Sequence, residues 1–122
     1  MKLKAFLLIL TIAAFSINVK GQLAEKKFEL KMGEMGTFYL EFQESDYFLT
    51  NPMGEVAVKG TYKIEDEILF FTDKEGQMAC PEDQTGRYKF SYKNKELKME
   101  LIEDKCTGRP NMALQTWKQV EK

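Results

Sequence analysis

Residues 55–65 read Glu-Val-Ala-Val-Lys-Gly-Thr-Tyr-Lys-Ile-Glu. The odd positions Glu55, Lys59, Thr61, Lys63 and Glu65 are polar or charged apart from Ala57, while the even positions are Val56, Val58, Gly60, Tyr62 and Ile64. A period of two over eleven residues is the mark of a strand with one buried and one solvated face. The same period recurs outward from it in both directions. Phe38, Leu40 and Phe42 share a face within residues 36–43; Tyr88, Phe90 and Tyr92 face away from Arg87, Lys89, Ser91 and Lys93; Leu97, Met99 and Leu101 face away from Lys98 and Glu100. Shorter apolar runs at Asp46 to Thr50 and Ile68 to Thr72, a weaker one at Lys27 to Met32, and a closing run from Met112 to Val120 bring the count to about eight strands.

The joints carry turn chemistry: Asn51-Pro52-Met53-Gly54, Glu65-Asp66-Glu67, Asp73-Lys74-Glu75-Gly76 and Lys93-Asn94-Lys95. Joints this short connect antiparallel neighbours, and no segment is long enough for a parallel crossover. At most one helical turn, near Leu23 to Lys26, finds room. Such a meander closes into a barrel or folds into a sandwich. We expect an all-β, single antiparallel up-and-down barrel, because consecutive hairpins suit that topology better than Greek-key returns and closure removes the exposed strand edges.

Composition narrows the function classes. The chain has 122 residues, 43% hydrophobic and 30% charged, close to globular averages and sized for one domain. It contains no histidine, which excludes His-based acid/base catalysis, Ser-His-Asp and Cys-His nucleophiles, and metal sites built on imidazole. No spacing forces two of the remaining carboxylates, tyrosines or lysines together, and the carboxylates of Glu65, Asp66 and Glu67 read as an exposed turn rather than an acid pair or cation site. No catalytic residue, metal ligand or cofactor is assigned.

Residues 1–21, MKLKAFLLILTIAAFSINVKG, have the pattern of an export signal: Lys2 and Lys4, an apolar stretch from Ala5 to about Phe15, and small Gly21 at the end. The apolar stretch is short of the roughly 20 residues that span a bilayer comfortably. The expected mature domain is residues 22–122, with 15 basic and 19 acidic side chains once Lys2, Lys4 and Lys20 are gone. An acidic domain without a basic block gives neither nucleic acid nor an anionic membrane an electrostatic hold. Export also places Cys80 and Cys106 in an oxidising compartment, where a disulfide is the simplest reading, ahead of buried free thiols or a redox pair. Closing 26 residues contributes about 3.5 kcal/mol on chain-entropy grounds.

From Gly60 onward the order is Gly60-Thr61-Tyr62, Thr72-Asp73-Lys74-Glu75-Gly76, Cys80-Pro81, Gly86-Arg87-Tyr88, then Asp104-Lys105-Cys106-Thr107-Gly108-Arg109 before Trp117. This order resembles small secreted bacterial lipocalin-like domains, over about half the chain. The resemblance implies a short barrel with a cross-linked loop and the capacity for a small apolar ligand. The G-x-W of typical lipocalins is represented here only by Gly36-Thr37-Phe38. Arg109 would stack on Trp117 and close one end of the barrel, with Asp104 as its ion-pair partner or a turn acceptor, or would meet a ligand carboxylate.

The face reading places Phe38, Leu40, Phe42, Val56, Val58, Tyr62, Ile64, Phe70, Tyr88, Phe90, Leu97, Met99 and Leu101 inward. An eight-stranded barrel is just wide enough to be filled by its own side chains or to hold one small molecule. The candidate ligand-binding residues are Phe38, Leu40, Phe42, Tyr62, Tyr88, Phe90, Tyr92, Met99 and Arg109. Of 15 aromatic rings, Phe6 and Phe15 fall in the leader, and the other 13 would overfill so small an interior, so some must sit at the mouth or outside. Two functions follow: a non-enzymatic binder of a small hydrophobic molecule, or an envelope module with a self-filled core that contacts a protein through Glu75 to Thr85.

Overall fold

The computed structural model describes residues 21–122, so the export-signal reading lies outside the described residues apart from Gly21. Eight strands run in chain order: β1 (Lys27–Lys31), β2 (Thr37–Phe42), β3 (Asp46–Thr50), β4 (Val56–Glu65), β5 (Ile68–Glu75), β6 (Gly86–Lys93), β7 (Glu96–Glu103) and β8 (Trp117–Val120). Each pairs antiparallel with the next, and β8 returns to β1 through Lys27↔Val120, Phe28↔Gln119 and Glu29↔Lys118. The sheet is therefore a closed up-and-down barrel, and the sandwich is excluded. It is consistent with a calycin-like fold.

Two hairpins set the phase of the middle strands. The two-residue turns Asp66-Glu67 and Asn94-Lys95 have φ of 49° and 67°, and of 54° and 62°. Two left-handed residues in succession make the hairpin turn whose twist matches that of its strands. The first turn fixes Ile64↔Leu69, Tyr62↔Phe71 and Gly60↔Asp73. Leu69, Phe71 and Asp73 thus point inward, and Phe70 lies outside under the ammonium of Lys63, 4.8 Å from its ring centre. That corrects the inward placement of Phe70 and carries β5 three residues past Thr72, through a segment expected to turn.

Three further corrections sit at one end of the barrel. A bulge between β3 and β4 pairs Leu49 with Val58 and Thr50 with Val56, so Ala57 is buried as well as Val58, and Val56 is exposed. A bulge between β6 and β7 pairs Tyr88 with Leu101 and Arg87 with Glu103, and both Leu101 and Ile102 are exposed. The closing strand begins only at Trp117, because Arg109–Ala113 form a short helix, α1, with Pro110 in its first turn. Proline lacks only an N–H that has no partner there, and its fixed φ suits the helical start.

The interior is aromatic. Phe28 meets Phe42 and Tyr92 edge-on, Phe42 meets Tyr62, and Phe71 meets Tyr47 and Tyr88, with ring centres 4.9 to 6.0 Å apart. Leu23, from the segment before β1, is fully buried in the same cluster. The rings that would overfill the barrel are outside: Tyr39, Phe48 and Phe70 are half-buried on its outer face, each beneath a lysine.

Candidate functional site

In an up-and-down barrel the loops alternate between the two ends. The β2–β3, β4–β5 and β6–β7 turns meet at the end that Leu23, Phe42 and Tyr62 fill. The β1–β2, β3–β4, β5–β6 and β7–β8 connections meet at the other, and there a cavity of about 300 Å³ opens into the barrel. Leu40, Val58, Phe71, Met99 and Trp117 line its apolar part; Met78, Thr107 and Met112 stand at its loops; Tyr47, Asp73 and Arg109 supply its polar wall. All seven large exposed apolar side chains among the described residues, Met35, Met53, Val56, Met78, Leu101, Ile102 and Leu114, lie in or beside the loops of this end.

The polar wall is a buried chain of charge. Arg109 Nη1 donates to Asp104 Oδ1 at 2.8 Å and to the Gln84 carbonyl at 3.1 Å, and Nη2 lies 3.3 Å from Asp73 Oδ1. Asp73 Oδ1 accepts the Tyr47 hydroxyl and its Oδ2 accepts the Cys80 N–H at 2.9 Å. Asp104 Oδ2 accepts the Tyr88 hydroxyl and its Oδ1 accepts the Cys106 N–H at 2.9 Å. Each aspartate therefore holds one tyrosine and one cysteine backbone. The Cys80–Cys106 disulfide, Cα atoms 5.8 Å apart, ties the β5–β6 loop to the segment leading into α1.

Electrostatics follow the geometry. Burial and the neighbouring Asp73 carboxylate raise the Tyr47 phenol well above its ordinary value, and burial with the Asp104 hydrogen bond does the same for Tyr88. Burial alone would pull the Arg109 guanidinium down, but Asp73 and Asp104 more than offset it and leave it raised. Gly86 makes the pair possible: a Cβ there would lie 2.4 Å from Asp104 Oδ2 and 2.6 Å from Arg109 Nη1. At Gly60 a Cβ would meet Thr72 O at 2.2 Å and the Tyr47 ring at 2.7 Å. The two G-x-Y segments thus share one logic, a bare inward position followed by an inward tyrosine.

Of the candidate ligand-binding residues, the cavity gathers Leu40, Met99 and Arg109. Trp117 and both cysteines also line it. Phe38, Phe42, Tyr62, Tyr88 and Phe90 are buried in the packed core, and Tyr92 packs against it. The hydroxyls of Tyr62, Tyr88 and Tyr92 are accepted by the Gln43 carbonyl, Asp104 and Gln119 Oε1, so each is satisfied within the protein. Asp104 is the ion-pair partner of Arg109 as expected. No lysine or arginine sits over Trp117 among the described residues; its indole N–H donates to the Met112 carbonyl at 3.1 Å, and Arg109 is held by carboxylates instead.

The sequence reading missed Tyr47, Phe71 and Asp73. Asp73 is 3% exposed, and the signal that locates it is the Asp66-Glu67 turn, which counts it onto the inward face opposite Gly60. Asp73, Cys80 and Cys106 place potential ligand atoms within 4.8 Å of one another, but both sulfurs are spent in the disulfide. No helix among the described residues is long and apolar enough to cross a membrane. The sequence matches no family model, and neither a curated protein nor a solved structure matches it.

Proposed function

We propose that the protein is an exported, lipocalin-like domain of bacterial type that binds a small hydrophobic molecule in the mouth of its barrel, without catalysing a reaction on it. The observation that carries this reading is the apolar cavity of about 300 Å³ at the end where the exposed apolar side chains gather. Such a volume lies at the small end of ligand pockets. The disulfide fits the oxidising compartment that the leader-like residues 1–21 imply. The groups that carry charge in the wall are engaged with one another, which suits a preformed site more than a reacting one.

The apolar rim also gives some support to a protein-contacting role for this end, in which the Glu75 to Thr85 loop presents Met78. That reading requires a self-filled interior, and the cavity weighs against it. Titration with the uncharged fluorophore N-phenyl-1-naphthylamine separates the two. Binding should be saturable at one site, and Ala113→Phe, which projects a ring from α1 into the cavity, should abolish it while the circular dichroism stays native. Absence of saturable binding would count against the small-molecule reading.

A further inference from the structure

The wall of the cavity carries an excess of negative charge. Asp73 and Arg109 line it and Asp104 pairs with Arg109 from behind, so two carboxylates share one guanidinium. The other donors to these carboxylates are the neutral hydroxyls of Tyr47 and Tyr88 and the N–H groups of Cys80 and Cys106, and no lysine or second arginine is in the lining. One negative charge is left over. The Asp73 and Asp104 side chains are 4% and 0% exposed, and Arg109 Nε and Nη2 are buried, so a ligand meets this wall as a field and not as a set of open hydrogen-bond partners. Buried charge is poorly screened, and its field reaches across a cavity of this size.

The loops around the mouth have the same sign. The four connections of this end expose Glu34, Glu55, Glu82 and Asp83 against Lys105 alone. The bordering strand ends add Lys31, Lys74 and Arg87 against Glu75 and Glu103, which leaves the acids in excess. Met78, Thr107 and Gly108 are exposed and mark where the cavity meets water. An ammonium held there keeps part of its hydration while its apolar chain lies against Leu40, Val58 and Met99, so the cation is attracted without being buried. A carboxylate at the same point is repelled. The rings of Tyr47, Phe71 and Trp117 in the lining act in the same direction, since aromatic walls attract a cation. We infer that the cavity selects apolar amines, bound with the protonated nitrogen at the mouth, over neutral molecules and acids of the same length. This rests on the small-molecule reading and narrows it to one charge class.

The test is displacement of N-phenyl-1-naphthylamine at pH 7 by nonylamine, 2-nonanone and nonanoate, which share a chain length and there carry a positive, no and a negative charge. The amine should compete on the order of tenfold more tightly than the ketone, and the ketone more tightly than the acid. Asp73→Asn, checked for native circular dichroism, brings the wall to neutrality, and the amine should lose most of its lead over the ketone. A ketone or an acid that competes as well as the amine in the unaltered protein overturns the inference while leaving the binding reading intact, and needs no variant to do so. An unchanged lead of the amine in folded Asp73→Asn overturns it too. Failure of the fluorophore itself to bind overturns both.

Discussion

At the scale of single residues, the site is organised by what glycine leaves out and what two aspartates take in. Gly86 admits the Asp104–Arg109 pair, and Asp73 joins it from β5, so three ionisable side chains lie together under the disulfide. Burying an ion pair in this way is weak evidence for stability, because desolvation offsets the attraction. Its value is positional: it fixes Tyr47, Tyr88 and the two cysteine backbones around one point. The tyrosines also predict a pH response. Burial, with help from Glu25 and Glu44, pushes Tyr62 up to about 12 from 10.0. A phenol whose folded value is raised favours the fold while neutral, so this contribution is fully present below pH 10 and is lost as pH rises toward 12. Urea midpoints measured across that interval should fall, and Tyr62→Phe, which has nothing to ionise, should fall less steeply; an identical decline in both proteins would remove Tyr62 from the explanation.

At the scale of elements, the strands with strict alternation were legible and those with unbroken apolar runs were not. Tyr88, Phe90 and Tyr92 reveal their face at once, whereas Ile68-Leu69-Phe70-Phe71 is apolar on both sides and only the hairpin opposite β4 decides which side is in. Residues 109–116 show the same limit: Arg109-Pro110 carries the helix-start signal of an early proline, but the apolar Met112, Ala113 and Leu114 read equally as strand. The bulges that turn Val56 and Leu101 out leave no local mark at all, since they arise from how neighbouring strands meet. The hairpins themselves are open to improvement. Lys95 adopts a φ of 62° without glycine's freedom, at a cost of about 1 kcal/mol. Lys95→Gly should complete an Asn-Gly turn and raise the unfolding free energy by about that amount in denaturant titration, whereas a loss of stability would mean that the side chain matters more than the turn.

Across the whole molecule the two ends of the barrel have different tasks. One is filled by Leu23 and interlocked rings, and the other keeps a cavity beneath loops fastened by the Cys80–Cys106 bridge. A barrel and a disulfide were readable from periodicity, turn chemistry and the cysteine pair, while Arg109 beside Asp104 came only with the lipocalin-like resemblance, together with a stack on Trp117 that the structure does not have. Which end is hollow was not readable, because core and cavity walls are built from the same residue types and differ only in what packs opposite them. The most direct measurement is a methyl-resolved NMR titration of residues 22–122 with 2-nonanone. Saturable shifts confined to Leu40, Leu49, Val58, Met99, Met112 and Ala113, with Leu23 and Leu30 unmoved, are the predicted result. No shifts, or shifts at Leu23 and its neighbours alone, would contradict a binding cavity at the loop end.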